Sequence, residues 1–196
     1  MRPEQYTRRE YVRAFRELAA RIAATLQDVP RRALPVRMYV AGGAALHFHT
    51  GERVSVDVDA AFSRRIALPD ELEVAYRDDD GAARLLYLDR QYNDTLGLMH
   101  EDAHDDSVPL TLEGIDPEVL DVRILTPLDL AVSKVGRLSA QDQADIAALA
   151  RRGLITGEKL AKRAEEALDL YVGDTQRLRG NIAAAVRIVA ENNPTN

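Results

Sequence analysis

The sequence predicts an α+β fold: a small mixed β-sheet flanked by helices, followed by a helical C-terminal part. Three observations carry this expectation. The opening residues place apolar side chains at helical spacing, the middle holds short apolar or alternating runs separated by glycine and acidic turns, and beyond Leu125 the pattern becomes helical with capping sequences. The chain accordingly divides into an α/β core with its N-terminal helix over 1–125 and a helical region over 126–196 packed on it.

Thr7 to Gln27 sets Tyr11, Phe15, Leu18, Ala19, Ile22 and Leu26 on one helical face and arginines on the other, so an amphipathic helix is predicted. Pro30 and Pro35 bracket a turn. Val36 to Ala41 reads as a buried strand, Gly42 and Gly43 as a tight turn, and Ala44 to His49 as a short helix ended near Gly51. Val54 to Phe62 alternates as a strand. Leu72 to Tyr76 and Ala83 to Leu88, joined by the turn DDDG, form a predicted hairpin, with further short strands at Leu96 to Met99 and Leu120 to Leu125. Thr126-Pro127-Leu128-Asp129 and Ser139-Ala140-Gln141-Asp142 are capping boxes, the first with Pro at the opening helical position. Two more helices, Glu158 to Tyr171 and Thr175 to Glu191, follow Gly153 and Gly173.

A chain of 196 residues, 46% of them hydrophobic, can bury an ordinary core, so disorder is not expected. With no cysteine, disulfides, thiolate metal sites and thiol nucleophiles are excluded, which fits a cytoplasmic location. The charged opening MRPEQYTRREYVRAF is no apolar signal core, and no segment approaches the roughly 20 apolar residues of a membrane span, so no membrane partner is expected. The net charge of −6 is unevenly spread: residues 1–37 hold nine arginines against four acids, 52–122 six against nineteen, and 123–196 eleven basic residues against nine acids. An acidic middle between basic ends suits carboxylates that gather metal ions and flanking helices that meet polyanions; Arg8, Arg9, Arg13, Arg16 and Arg21 are the place to look for the latter. Solvated surface is the alternative.

The most informative stretch is GGAALHFHTGERVSVDVDAAF. In a strand, side chains two apart share one face about 6.6–7 Å apart, so Arg53, Ser55, Asp57 and Asp59 line one side and Val54, Val56, Val58, Ala60 and Phe62 the other. Burial of the valines would fix the register of the carboxylates, which could then converge on one divalent ion or bridge two. Upstream, Gly42 and Gly43 stand between a strand and a helix, where backbone N–H groups can approach phosphate oxygens and the helix N-terminus favours anions. Phosphates and metal-binding carboxylates together describe a nucleoside triphosphate (NTP) site.

The pattern Gly42-Gly43, thirteen intervening residues, then Asp57-Val58-Asp59 resembles the signature of the polymerase-β-like nucleotidyltransferase superfamily. With RILTPLDLAVSKVGRLSAQDQADIAAL downstream, it is similar to the branch containing AbiEii-type and MenT-type toxins, over roughly residues 36–155. The resemblance implies a nucleotidyltransferase core in which Asp57 and Asp59 bind Mg2+, Gly42 and Gly43 contact the triphosphate, and Ser55, with Arg53 on the same face, lies beside it. It implies that Lys134 is a phosphate-binding or catalytic lysine, with Asp145 or Asp142 orienting it or joining the site. A third carboxylate is usual on a neighbouring strand, for which Asp89, Asp94, Asp102 and Asp121 are the candidates. The implied activity is transfer of a nucleoside monophosphate from an NTP to a hydroxyl, either the 3′ end of tRNA or a protein side chain, by the toxin of a toxin–antitoxin pair. The cognate antitoxin would be a partner.

Each residue has a plainer reading. Lys134 could be a surface lysine whose stem covers apolar area, Asp142 the N3 carboxylate of a capping box, and Asp145 its solvated neighbour. Two other functions compete: a nucleotide-binding or regulatory module of the same fold without turnover, and a zinc metallopeptidase built on His100-Glu101-Asp102-Ala103-His104, a formal H-E-x-x-H. Charged neighbours and the nearby Pro109 leave that segment little length for a helix and favour an acidic loop.

Overall fold

The computed structural model describes residues 1, 7–94 and 97–194. The fold is mixed α+β, as predicted, and divides into two compact units, Met1–Tyr92 with Ser107–Ile124, and Asn93–Asp106 with Leu125–Asn196.

The first unit opens with α1 (Arg9–Ala24), whose face of Tyr11, Ala14, Phe15, Leu18, Ala19 and Ile22 is buried as its spacing predicts. Each large apolar side chain so buried contributes about 1.5–3 kcal/mol. Two sheets follow. One has the order β3 (Ala60–Phe62), β1 (Val36–Val40), β7 (Leu120–Ile124), β6 (Val108–Pro109), with β1 and β7 parallel and the outer strands antiparallel to their neighbours. The other has the order β2 (Asp57–Val58), β5 (Ala83–Leu88), β4 (Glu73–Arg77); β4 and β5 are the predicted hairpin, and β2 runs parallel to β5. The helix α2 (Gly42–Thr50) leaves the end of β1 and closes at Gly51, which holds the left-handed φ of 71°.

The predicted strand Val54–Phe62 is not continuous. Its residues form two short strands in different sheets, β2 and β3, and the chain changes sheet at Asp59, whose carbonyl accepts the Ala41 N–H at 2.9 Å. Strict alternation therefore fails upstream: Val58 is buried but Val56 is 56% exposed, because the chain over 54–56 belongs to no strand. Gly43 belongs to the helix, while Gly42, its first residue, has a left-handed φ of 58° and makes the turn by which the chain enters it. No strand forms at 97–99, and Leu96 lies outside the described residues. The sequence reading missed β6, a two-residue pairing too short to leave a pattern.

The second unit is helical: α3 (Pro127–Val135), α4 (Ala140–Arg151), α5 (Gly157–Asp169) and α6 (Thr175–Asn192). Thr126 and Ser139 cap α3 and α4 through the N–H groups of Asp129 and Asp142; the predicted box is complete at Ser139, while the Asp129 carboxylate takes the Thr126 hydroxyl and Arg163. No helix among the described residues is long and apolar enough to cross a membrane.

Candidate active site

The junction of β1 and α2 shows why two glycines stand there. Gly42 has φ of 58°, and a Cβ on it would fall inside the Asp59 carboxylate. A Cβ on Gly43 would lie 2.7 Å from the Ser55 side chain and 2.8 Å from Nη1 of Arg53. Those separations are well inside van der Waals contact, so only glycine lets the first turn of α2 approach the Arg53–Asp59 segment so closely. The Ser55 hydroxyl donates to Oδ1 of Asp57, which pins that carboxylate although residue 55 lies outside any strand. Gly42, Gly43, Arg53, Ser55, Asp57 and Asp59 thus form one cluster, held by contacts between a helix start and an irregular segment rather than by strand alternation.

Two residues that the sequence reading left aside support the cluster. His47 is fully buried, its Nε2 accepts the Arg8 N–H at 3.0 Å and its Nδ1 lies 3.2 Å from the Arg53 carbonyl. The first contact makes Nε2 an acceptor, so Nδ1 carries the proton and donates to Arg53. Burial, aided by the Arg8 charge and opposed by the hydrogen bond to Arg53, lowers its pKa to about 4, so the ring stays neutral and holds the Arg53 segment. Tyr11 packs edge-on against His47, ring centroids 4.8 Å apart. Its pKa is raised by burial, with Tyr76, Asp57 and Asp59 adding to the rise. Helical spacing marked Tyr11 as core, and His47 fell within the predicted helix Ala44 to His49; nothing in either pattern signals a place beside the Arg53 segment.

The second predicted group lies in the other unit. Lys134 is not a surface residue: it is 7% exposed, with Nζ 2.6 Å from Oδ2 of Asp145 and 4.0 Å from Oδ1 of Asp142. Asp145 is more deeply buried still and takes a second hydrogen bond, 2.8 Å, from the Gln141 amide. Asp142 completes the capping box with Ser139 and receives both Nε and Nη2 of Arg137 at 2.7 and 2.9 Å. Burial pulls its pKa up, but the hydrogen bonds from Arg137 and Ser139 outweigh that and hold it at about 2. Asp142 is thus spent on structure, while Lys134 and Asp145 form a desolvated pair.

Of the remaining predicted carboxylate residues, Asp89 adjoins the Asp57–Asp59 stretch through its backbone, its N–H donating to the Val58 carbonyl at 3.0 Å just beyond the β2–β5 pairing. Asp121 lies 3.2 Å from Arg123 and 3.8 Å from Arg37, Asp89 accepts the Gln91 N–H, and Asp94 pairs with His104 at 2.8 Å. The segment around His100 is a 3-10 turn over Glu101–Ala103, not an α-helix; His100 Nδ1 accepts the Asp102 N–H and its Nε2 lies 3.6 Å from Glu166. Among the described residues, no three His, Cys, Asp or Glu side chains gather as metal ligands, at this turn or elsewhere. The arginines of the opening helix are largely engaged with acids: Arg8 with Asp78, Arg13 with Glu10, Arg16 with Glu113 and Arg21 with Glu17.

Comparison with known families decides the kinship. Residues 17–185 match the model of a family described as Nucleotidyltransferase of unknown function (DUF6036). The chain belongs to this family. No curated protein and no solved structure matches it. The matched span of this nucleotidyltransferase-family chain takes in the whole glycine–carboxylate cluster and the Lys134–Asp145 pair. Tyr11 and Arg8 precede it.

Proposed function

We propose that the protein is a Mg2+-dependent nucleotidyltransferase that moves a nucleoside monophosphate from an NTP to a hydroxyl acceptor. The observation that carries this reading is the close packing of Gly42 and Gly43 against Asp59, Ser55 and Arg53. It sets the Asp59 carboxylate and a guanidinium beside a helix N-terminus that favours phosphate, and the Ser55 hydroxyl ties the Asp57 carboxylate to the same segment. The donor set fits Mg2+: the ion takes hard oxygen ligands and is commonly bound by one or two carboxylates, with substrate phosphates and water completing the shell. Asp57 and Asp59 would hold it, and it would neutralise charge on the triphosphate.

In the proposed reaction the acceptor oxygen bonds to the α-phosphorus as the bond from that phosphorus to the β-phosphate bridging oxygen breaks. Pyrophosphate leaves, and the acceptor's proton is lost to solvent or a base. Arg53 and the N–H groups of the α2 start would orient the triphosphate, and Ser55 would keep Asp57 in place. Lys134, desolvated and held by Asp145, is proposed as the phosphate-binding or catalytic lysine. By resemblance, the acceptor is the 3′ end of tRNA or a protein hydroxyl, and the setting a toxin restrained by an antitoxin.

Incubating the protein with each α-phosphate-labelled NTP, Mg2+ and total tRNA tests the activity. Label on tRNA, or on the protein itself, with pyrophosphate release supports it. The absence of a third clustered carboxylate among the described residues favours one other reading, a nucleotide-binding module without turnover. Retained NTP binding with no transfer to any acceptor would establish that module instead.

A further inference from the structure

We propose that the Tyr11 hydroxyl donates a hydrogen bond to a phosphate oxygen of the nucleotide bound at the Asp57–Asp59 cluster. This rests on the nucleotide-binding reading above and adds a contact to it. Among the described residues, the Tyr11 hydroxyl is the buried side-chain polar atom left without a hydrogen-bond partner. An unmade hydrogen bond on a buried group costs about 1–3 kcal/mol, so a packing role alone would be better served by phenylalanine. The ring is fixed by edge contacts with His47, at 4.8 Å between centroids, and Tyr76, at 6.3 Å, with Phe48 tilted beside it at 6.2 Å.

The nearby polar groups are committed elsewhere. Both ring nitrogens of His47 are engaged, by Arg8 and by Arg53, and the Ser55 hydroxyl goes to Asp57. The ring packs on His47, whose Nδ1 donates to the Arg53 carbonyl, so the phenol lies one side chain away from the segment that carries the cluster; Asp57, Asp59 and Arg53 act electrostatically on it. A phenol ordinarily keeps its proton up to about pH 10, so the hydroxyl is a standing donor at neutral pH. A donor already stripped of water gives up no hydration when an anionic oxygen arrives. Arg53 supplies the matching positive charge for such an oxygen.

The test is calorimetric titration of the full chain with the non-hydrolysable α,β-methylene analogues of the four common NTPs in Mg2+, read beside unfolding temperature without nucleotide. Tyr11→Phe is expected to bind the preferred analogue about tenfold more weakly, while its nucleotide-free unfolding temperature equals or exceeds that of the wild type. Unchanged binding by Tyr11→Phe, with binding still lost in Asp57→Ala, would overturn the Tyr11 contact and leave the nucleotide site standing. A drop in the nucleotide-free unfolding temperature of Tyr11→Phe would mark the hydroxyl as structural and also overturn it. If the wild type binds none of the four analogues, the nucleotide reading itself falls, and this inference with it.

Discussion

Gly42 and Asp59 occupy each other's space: the glycine has a left-handed φ of 58°, and the aspartate carboxylate fills the volume where its side chain would be. An alanine there meets two penalties, the left-handed backbone and the displacement of the carboxylate. Gly42→Ala is expected to lose about 1–2 kcal/mol from the backbone alone. It should also abolish Mg2+-dependent nucleotide binding. Denaturant unfolding and titration with NTP analogues check the two effects separately, and full binding by Gly42→Ala would remove the reason given for that glycine.

The Lys134–Asp145 pair is buried on both sides, so its partners are unequal to replace singly. Removing one charge leaves the other desolvated and without its nearest counter-charge, and Lys134→Met or Asp145→Leu is expected to cost about 3–5 kcal/mol. The double variant should recover much of that stability. Activity separates the roles: the stable double variant should remain unable to transfer a nucleotide. If it transfers at the wild-type rate, the pair is structural only.

The neutral His47 makes stability depend on pH. Its folded pKa of about 4 lies below the ordinary 6.5, so between those values the unfolded chain binds the extra proton. Stability is therefore complete above about pH 6.5 and falls as the pH drops toward 4, by up to about 3 kcal/mol. Asp142, held down at about 2 from an ordinary 3.8, adds a loss of the same sign only at lower pH, between those two values. Unfolding free energies measured from pH 7 to 4 should show this slope in the wild type and a flatter one in His47→Gln. Equal slopes in both would rule His47 out as its source.

Much of the fold was legible in the sequence, for stated reasons. The buried face of α1, the β4–β5 hairpin and the caps of α3 and α4 follow from local periodicity and side chains that satisfy nearby backbone groups. The strand carrying Asp57 and Asp59 was legible only in part. Its alternating valines suggested one continuous strand, but the chain changes sheet at Asp59, where the carbonyl meets the N–H of Ala41, distant in sequence. In the site, glycines and aspartates were visible as residue types. Their contact through missing Cβ atoms, the tautomer of His47 and the unpartnered Tyr11 hydroxyl arise only when distant segments pack. Lys134 shows the limit most clearly, since its position on the helix allowed a surface lysine while tertiary packing buries it against Asp145.

The central claim is that Asp57 and Asp59 hold a metal–nucleotide unit. Its most direct measurement is titration of the wild type and of the Asp57→Asn, Asp59→Asn double variant with α,β-methylene NTP analogues, with and without Mg2+. Mg2+-dependent binding by the wild type, and its loss in a double variant that still unfolds cooperatively, are the expected results. Equal Mg2+-dependent affinity in the two proteins would contradict it.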